Sequence, residues 1–156
     1  LIPSGPLREN FKSIKRADCI FINGDKNTRF ENKINEINKN AKIFYSKYKI
    51  KNVENFKNKE VIAFAGIGNP SNFFELLKEK NINVVKTYSF PDHHNYSNQE
   101  LENIIKDSKE DSALIVTTEK DYSRMNEELQ LICECVKVDL EIEKKNEFIN
   151  LIKNKI

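Results

Sequence analysis

The segment Phe90-Pro91-Asp92-His93-His94 holds both histidines of the chain, side by side, directly after an apolar run that reads as a strand. Histidine takes or gives a proton near neutral pH, its ordinary pKa being about 6.5, and a neighbouring carboxylate can tune and orient it. A loop at the end of a strand is where α/β proteins carry their working residues. The same letters equally suit two solvated imidazoles in a turn, and a histidine pair alone does not decide between these readings.

Three further segments have chemical potential beside a plainer reading. Gly66-Ile67-Gly68-Asn69-Pro70 lies between a strand and a helix, where backbone N–H groups can bind an anion. It lacks the third glycine of a dinucleotide fingerprint and the Lys of a phosphate loop, so a structural turn is the stronger reading. Thr117-Thr118-Glu119-Lys120-Asp121 offers hydroxyls and both charges for phosphate or metal-phosphate contact. A helix cap with Thr118 at its start explains those letters somewhat better. In Gly5-Pro6-Leu7-Arg8-Glu9, Arg8 could fork onto phosphate and Glu9 could hold Mg²⁺, or the segment is a helix start with an acid near its positive end.

The elements that must position these loops follow from periodicity. Val61 to Ala65, Ile82 to Tyr88 and Ala113 to Val116 are continuous apolar strands, separated by helical patterns over 71–80 and 97–106. Ser97 and Glu100 form a capping box at the second helix. This β-α-β-α-β rhythm predicts a parallel sheet with helices on both sides. Right-handed crossovers then bring the ends of all three strands to one edge, where the loops at 66–70, 92–94 and 117–121 gather.

Upstream, 10–16 carries Phe11 and Ile14 at helical spacing, 19–22 is a buried strand closed by Asn23-Gly24-Asp25, and 28–39 is a helix with Phe30, Ile34 and Ile37 as its stripe. Lys42 to Ile50 alternates as a strand, and 51–60 is polar, which marks a domain boundary. Cys135 to Ile142 alternates too, and is predicted as one strand outside the main sheet, partnered by Lys42 to Ile50. A helix over 144–153 follows.

The chain of 156 residues, 38% hydrophobic and 32% charged, is that of a soluble globular protein with a sizeable core. A net charge of +2 gives no electrostatic case for nucleic acid as the main partner. Cys19, Cys133 and Cys135 do not make a Cys-x-x-Cys clip and are read as reduced and structural. No run reaches the roughly 18 to 20 apolar residues of a membrane span and no leader pattern is present, so the cytoplasm is the expected compartment. A start at Leu1 inside Pro3-Ser4-Gly5-Pro6 points to sequence missing upstream.

Pro3-Ser4-Gly5-Pro6-Leu7-Arg8-Glu9, Arg16-Ala17-Asp18 leading to Asn23-Gly24, Ala63 to Pro70, Phe90 to His94 and Thr117 to Asp121 stand in the order seen in tetraacyldisaccharide 4'-kinases. The chain resembles that family, the lipid A 4'-kinases of Gram-negative bacteria, over essentially its whole length. The resemblance implies transfer of the γ-phosphoryl group of ATP, with Mg²⁺, to the 4'-hydroxyl of a disaccharide lipid, the lipid A precursor. It also implies peripheral contact with the cytoplasmic face of the inner membrane. The implied fold is α/β, a Rossmann-like parallel sheet with flanking helices plus a two-stranded antiparallel linker. On that pattern 1–41 ends the first, ATP-binding domain, 42–59 is linker, 60–134 is the Rossmann-like domain, and 135–156 is the return linker strand and last helix.

By the same resemblance His93, with Asp92 beside it, works with an Asp of the first domain to activate the acceptor hydroxyl. Arg8 would contact phosphate and Glu9 would be an Mg²⁺-linked carboxylate. The chain departs from the family in one large respect: it holds no Gly-x-x-x-x-Gly-Lys-[Ser/Thr]. ATP and Mg²⁺ would be bound mainly by a first domain that is absent, in the same or a separate polypeptide. Phosphoryl transfer rests on positioning and charge stabilisation, so half a cleft is expected to be inactive. The alternative is a non-catalytic remnant or binding module that associates with a separate ATP-binding half. A metal phosphoesterase built on Asp-His-His would need further ligands, and there is no third histidine.

Overall fold

Every residue from Val61 to Ala65 is apolar, and the computed structural model, which describes residues 9–154, covers both faces of this strand. In chain order the elements are β1 (Cys19–Asn23), α1 (Thr28–Ile37), β2 (Lys42–Ile50), β3 (Glu60–Ala65), α2 (Pro70–Glu79), β4 (Asn83–Ser89) and α3 (Asn98–Glu110). They continue with β5 (Leu114–Thr118), α4 (Glu119–Tyr122), α5 (Glu127–Gln130), β6 (Cys133–Val136), β7 (Val138–Ile142) and α6 (Lys145–Lys153). Short 3₁₀ turns occupy Phe11–Arg16 and Val53–Phe56. The chain divides into two compact units, 48–139 and 1–47 with 140–156.

The unit 48–139 is built on a parallel sheet of order β4-β3-β5-β6. Side chains alternate across a strand, so Val61, Ala63 and Ala65 pack with Phe73, Phe74 and Leu77 of α2, while Ile62 and Phe64 pack with Ile104 of α3. This two-sided burial is why the strands read as unbroken apolar runs. Pro70 opens α2 at the position where its missing N–H costs nothing, and Ser97 with Glu100 forms the capping box of α3. β4 and β5 lie on opposite sides of β3, so the crossovers diverge there. That is the switch point at which open α/β sheets bind ligands, beyond the carboxyl ends of the strands.

The end of the chain departs from the sequence expectation. Residues 135–142 do not form one strand outside the sheet. Cys133–Val136 is the fourth parallel strand, beside β5, and the chain changes sheets at Lys137. Asn52 holds that step, accepting from Lys137 N at 2.9 Å and donating to Cys135 O at 2.9 Å. Alternation in sequence cannot distinguish one long strand from two short ones whose partners differ, since the partner is a tertiary choice. The polar stretch after β2 likewise contributes a core residue, Phe56, which is 1% exposed.

In the unit formed by 1–47 and 140–156, β1 and β2 pair in parallel from Cys19↔Lys42 to Asn23↔Ser46. Ile34 of α1 is fully buried, and Phe21, Phe44 and Phe148 of α6 form an aromatic cluster with ring centroids 4.6 to 5.5 Å apart. β2 lies between β1 and β7. The bonds Lys51 N to Lys137 O and Glu143 N to Tyr45 O run in the crossed order of an antiparallel pair, giving a mixed sheet. Among the described residues no helix is long and apolar enough to cross a membrane.

Candidate active site

The loops after β3, β4 and β5 meet at the carboxyl edge of the parallel sheet. Phe90 N donates to Ala65 O at 2.9 Å and His93 N to Gly66 O at 3.2 Å, which ties the histidine loop to the glycine loop. Gly66 N in turn donates to Asp121 Oδ2 at 2.9 Å. Asp121 is fully buried, and the same carboxylate oxygen accepts from Thr118 Oγ1 at 2.8 Å. One carboxylate therefore joins two of the loops, and Gly66 joins the third.

Gly66 has to be glycine because of what surrounds it. A Cβ there would lie 2.8 Å from Tyr96 Oη, 3.2 Å from Asp121 Oδ1 and 3.2 Å from Pro91 O. The Tyr96 hydroxyl and Asp121 Oδ1 are both buried and border the same Gly66 position. Burial first, and the Asp121 carboxylate second, push the ionisation of the Tyr96 phenol upward. Position 66 is thus packed too tightly for an added side chain, while Gly68 two residues on has only ordinary contact with Asp92.

The two histidines have separate environments. The His94 ring stacks on Phe90 at 4.9 Å between centroids and lies 3.0 Å from Glu100 Oε2. Arg124 donates to its carbonyl at 3.3 Å. Those contacts make His94 part of the frame. His93 has a left-handed backbone, φ 60°, a conformation uncommon for a residue with a side chain, and its imidazole is 68% exposed at the open edge. Asp92 Oδ2 is 3.9 Å from His93 Nε2, beyond a hydrogen bond, whereas Asp92 Oδ1 accepts from Lys120 Nζ at 2.8 Å. The Lys120 ammonium holds the Asp92 carboxyl below the usual carboxylate range. It also lies 3.3 Å from His93 Nε2. The sequence marks Lys120 as part of a candidate phosphate-contacting loop at the same edge, but not its contact with His93, 27 positions away.

Glu100 contributes to both the α3 cap and His94. Its carboxyl is lowered to about 2 by the backbone N–H of Ser97, then by His94 and the Ser97 hydroxyl. A depressed carboxylate stabilises the fold above its unfolded pKa and ceases to do so as pH falls through the folded value. Glu100→Gln is therefore expected to lower the melting temperature at pH 7, and the gap to the parent should close between pH 4.5 and about 2. Ser97→Ala removes the cap itself and is expected to cost about 1 kcal/mol in urea unfolding.

Beside Lys120 a cleft of about 430 Å³ opens between α2 and the start of α4, with Ile67, Phe73, Leu76, Val136 and Val138 as apolar walls. Asn69, Thr118 and Lys120 supply its polar lip.

Glu9 belongs to the other unit, where its exposed carboxylate pairs with Arg16. The Ser13 hydroxyl first, and Arg16 second, lower its pKa. Arg8, with the rest of the Pro3 to Leu7 motif, lies outside the described residues. Among the described residues no three His, Cys, Asp or Glu side chains gather as a metal site.

A family model described as LpxK, tetraacyldisaccharide-1-P 4'-kinase, matches residues 1–156. The chain belongs to the tetraacyldisaccharide-1-P 4'-kinase family. It is 39% identical over 127 residues to the tetraacyldisaccharide 4'-kinase of Pelagibacter ubique, covering 80% of this chain and 40% of that protein. With the Rickettsia typhi tetraacyldisaccharide 4'-kinase it shares 41% identity over 130 residues, 81% of this chain and 39% of that one. A crystal structure of LpxK from Aquifex aeolicus in complex with ATP superposes with a TM-score of 0.62 at 25% identity, over 99% of this chain and 47% of that chain. The chain thus spans about two fifths of the length of these curated kinases. As a member of the kinase family it shares the α/β fold expected from its sequence, a parallel sheet with flanking helices, while the pair expected as a two-stranded linker gains β1 to become a mixed sheet.

Proposed function

We propose that this chain is the C-terminal part of an ATP-dependent lipid kinase that phosphorylates the 4'-hydroxyl of a tetraacyldisaccharide 1-phosphate, and that it is inactive alone. The reading rests on the convergence of the three strand-end loops, which leaves the exposed His93 imidazole at the switch-point edge of a family member. In the reaction the acceptor oxygen bonds to the γ-phosphorus of ATP as ADP departs. His93 takes the proton that the hydroxyl gives up, with a carboxylate of the ATP-binding half orienting the ring. Asp92 acts on the ring through Lys120 rather than by touching it. By the family resemblance Arg8 would contact phosphate and Glu9 would be an Mg²⁺-linked carboxylate, with ATP and Mg²⁺ bound mainly by that half.

The cleft beside Lys120 supports the choice of substrate class, since apolar walls with a polar lip suit an amphipathic acceptor that presents its sugar to His93. Peripheral contact with the inner membrane follows from such a substrate. The chain alone carries no phosphate loop, so purified material is expected to give no lipid phosphorylation with radiolabelled ATP. An ATP-binding N-terminal half added in trans should restore transfer. Turnover without that half would overturn the reading, and tight association of the two halves with no turnover would favour a non-catalytic binding module instead.

A further inference from the structure

In Thr117-Thr118-Glu119-Lys120-Asp121 four of the five side chains are committed to holding the turn. Thr117 Oγ1 donates to Phe64 O at 2.8 Å, and Thr118 Oγ1 caps α4 by accepting from Asp121 N at 3.1 Å. Glu119 Oε2 accepts from Val138 N at 3.1 Å, and buried Asp121 accepts from Gly66 N. Ser123 Oγ fastens the carbonyl of Lys120 itself, at 2.9 Å. The turn is a mount, and the side chain it presents to the histidine loop is Lys120.

An ammonium group has three donors and no acceptor, while a neutral imidazole has one nitrogen of each kind. The nitrogen facing Lys120 Nζ at 3.3 Å is Nε2. Asp92 Oδ1, at 2.8 Å from the same Nζ, keeps the ammonium in place, and Asp92 Oδ2 is too far from the ring to accept from Nε2. We infer that Lys120 is a positioning residue that sets the tautomer of His93, holding the lone pair on Nε2 and the proton on Nδ1.

That tautomer has a catalytic consequence, which rests on the kinase reading above. A ring whose Nδ1–H is available to a carboxylate and whose Nε2 carries the lone pair is arranged to accept a hydroxyl proton at Nε2. The acceptor hydroxyl would take the place of Lys120 at Nε2. The ammonium, still held by Asp92, would remain beside the developing negative charge, where a cation stabilises phosphoryl transfer. Lys120 thus has two roles in sequence, first keeping Nε2 unprotonated and then yielding it to substrate.

The tautomer can be read on the chain as it stands, without any assay of kinase activity. With two histidines in the sequence, ¹⁵N NMR of uniformly labelled protein at pH 9 contains two ring systems, and His94→Gln leaves that of His93 alone. The parent is expected to show His93 with a protonated Nδ1 and a pyridine-type Nε2. Lys120→Met should lose that tautomer and move the proton towards Nε2 with no change in melting temperature, whereas Lys120→Arg, which also only donates, should retain it. A parent ring protonated at Nε2, or a tautomer unchanged in Lys120→Met, would overturn the proposal. Neither result bears on whether the chain completes a kinase, which the recombination assay tests separately.

Discussion

Replacing His93 by Asn is expected to lower lipid phosphorylation by about 10²–10⁴-fold when the chain is recombined with an ATP-binding half, the usual contribution of a general acid–base group. Asn suits the position because it tolerates the left-handed backbone, φ 60°, that His93 adopts. His93→Ala makes the same chemical deletion with an added backbone cost. The pair of variants therefore separates lost chemistry from lost loop geometry. If the proton-handling role is right, both fall by similar factors and His93→Asn keeps the parent's melting temperature. The exposed ring makes no buried contact, and the loop is tied by His93 N to Gly66 O, a bond that either residue can make. Transfer within twofold of the parent in both variants would remove His93 from the mechanism. His94 provides the contrast, since its stacking on Phe90 and its contact with Glu100 predict effects on stability.

The features legible in the sequence are those set by neighbours along the chain. The unbroken apolar run of β3 and Ser97 with Glu100 are local signals, and each stands where expected, while Pro70, read as the end of the preceding turn, opens α2 instead. Convergence of the three loops was legible too, because right-handed crossovers and parallel pairing leave the strand ends no other edge. The residues whose roles escaped notice act across long separations. Asp121 reads as an acid in the first turn of a helix, favoured by the dipole, yet it is the buried acceptor of an N–H 55 residues away. Lys120 reads as one charge of a strand-end segment suited to phosphate, and its partner Asp92 lies 28 residues before it. The change of sheets at Lys137 belongs with these, since it depends on Asn52, 85 residues upstream. A charged side chain gives no sign of its partner until the fold has brought the two together.

Asp121→Ala is expected to be the most disruptive single change near the site, lowering stability by about 3 kcal/mol. The carboxylate oxygen it removes accepts from both Gly66 N and Thr118 Oγ1. Each buried donor left without a partner costs about 1–3 kcal/mol, and the loss of side-chain volume in a fully buried position adds to this. For a chain of this length about 3 kcal/mol corresponds to a drop in melting temperature of roughly 6–12 °C. Asp121→Asn keeps one oxygen acceptor and should lose less. Gly66→Ala approaches the same knot from the other side, because its Cβ would meet Tyr96 Oη at 2.8 Å and Pro91 O at 3.2 Å whatever occupies position 121. The double variant relieves only the 3.2 Å approach to Asp121 Oδ1, so the two losses should fall short of adding by a coupling of about 0.5–3 kcal/mol. Simple additivity in urea unfolding, or a melting temperature within 2 °C of the parent for Asp121→Ala, would mean that the three loops are held together by something other than this carboxylate.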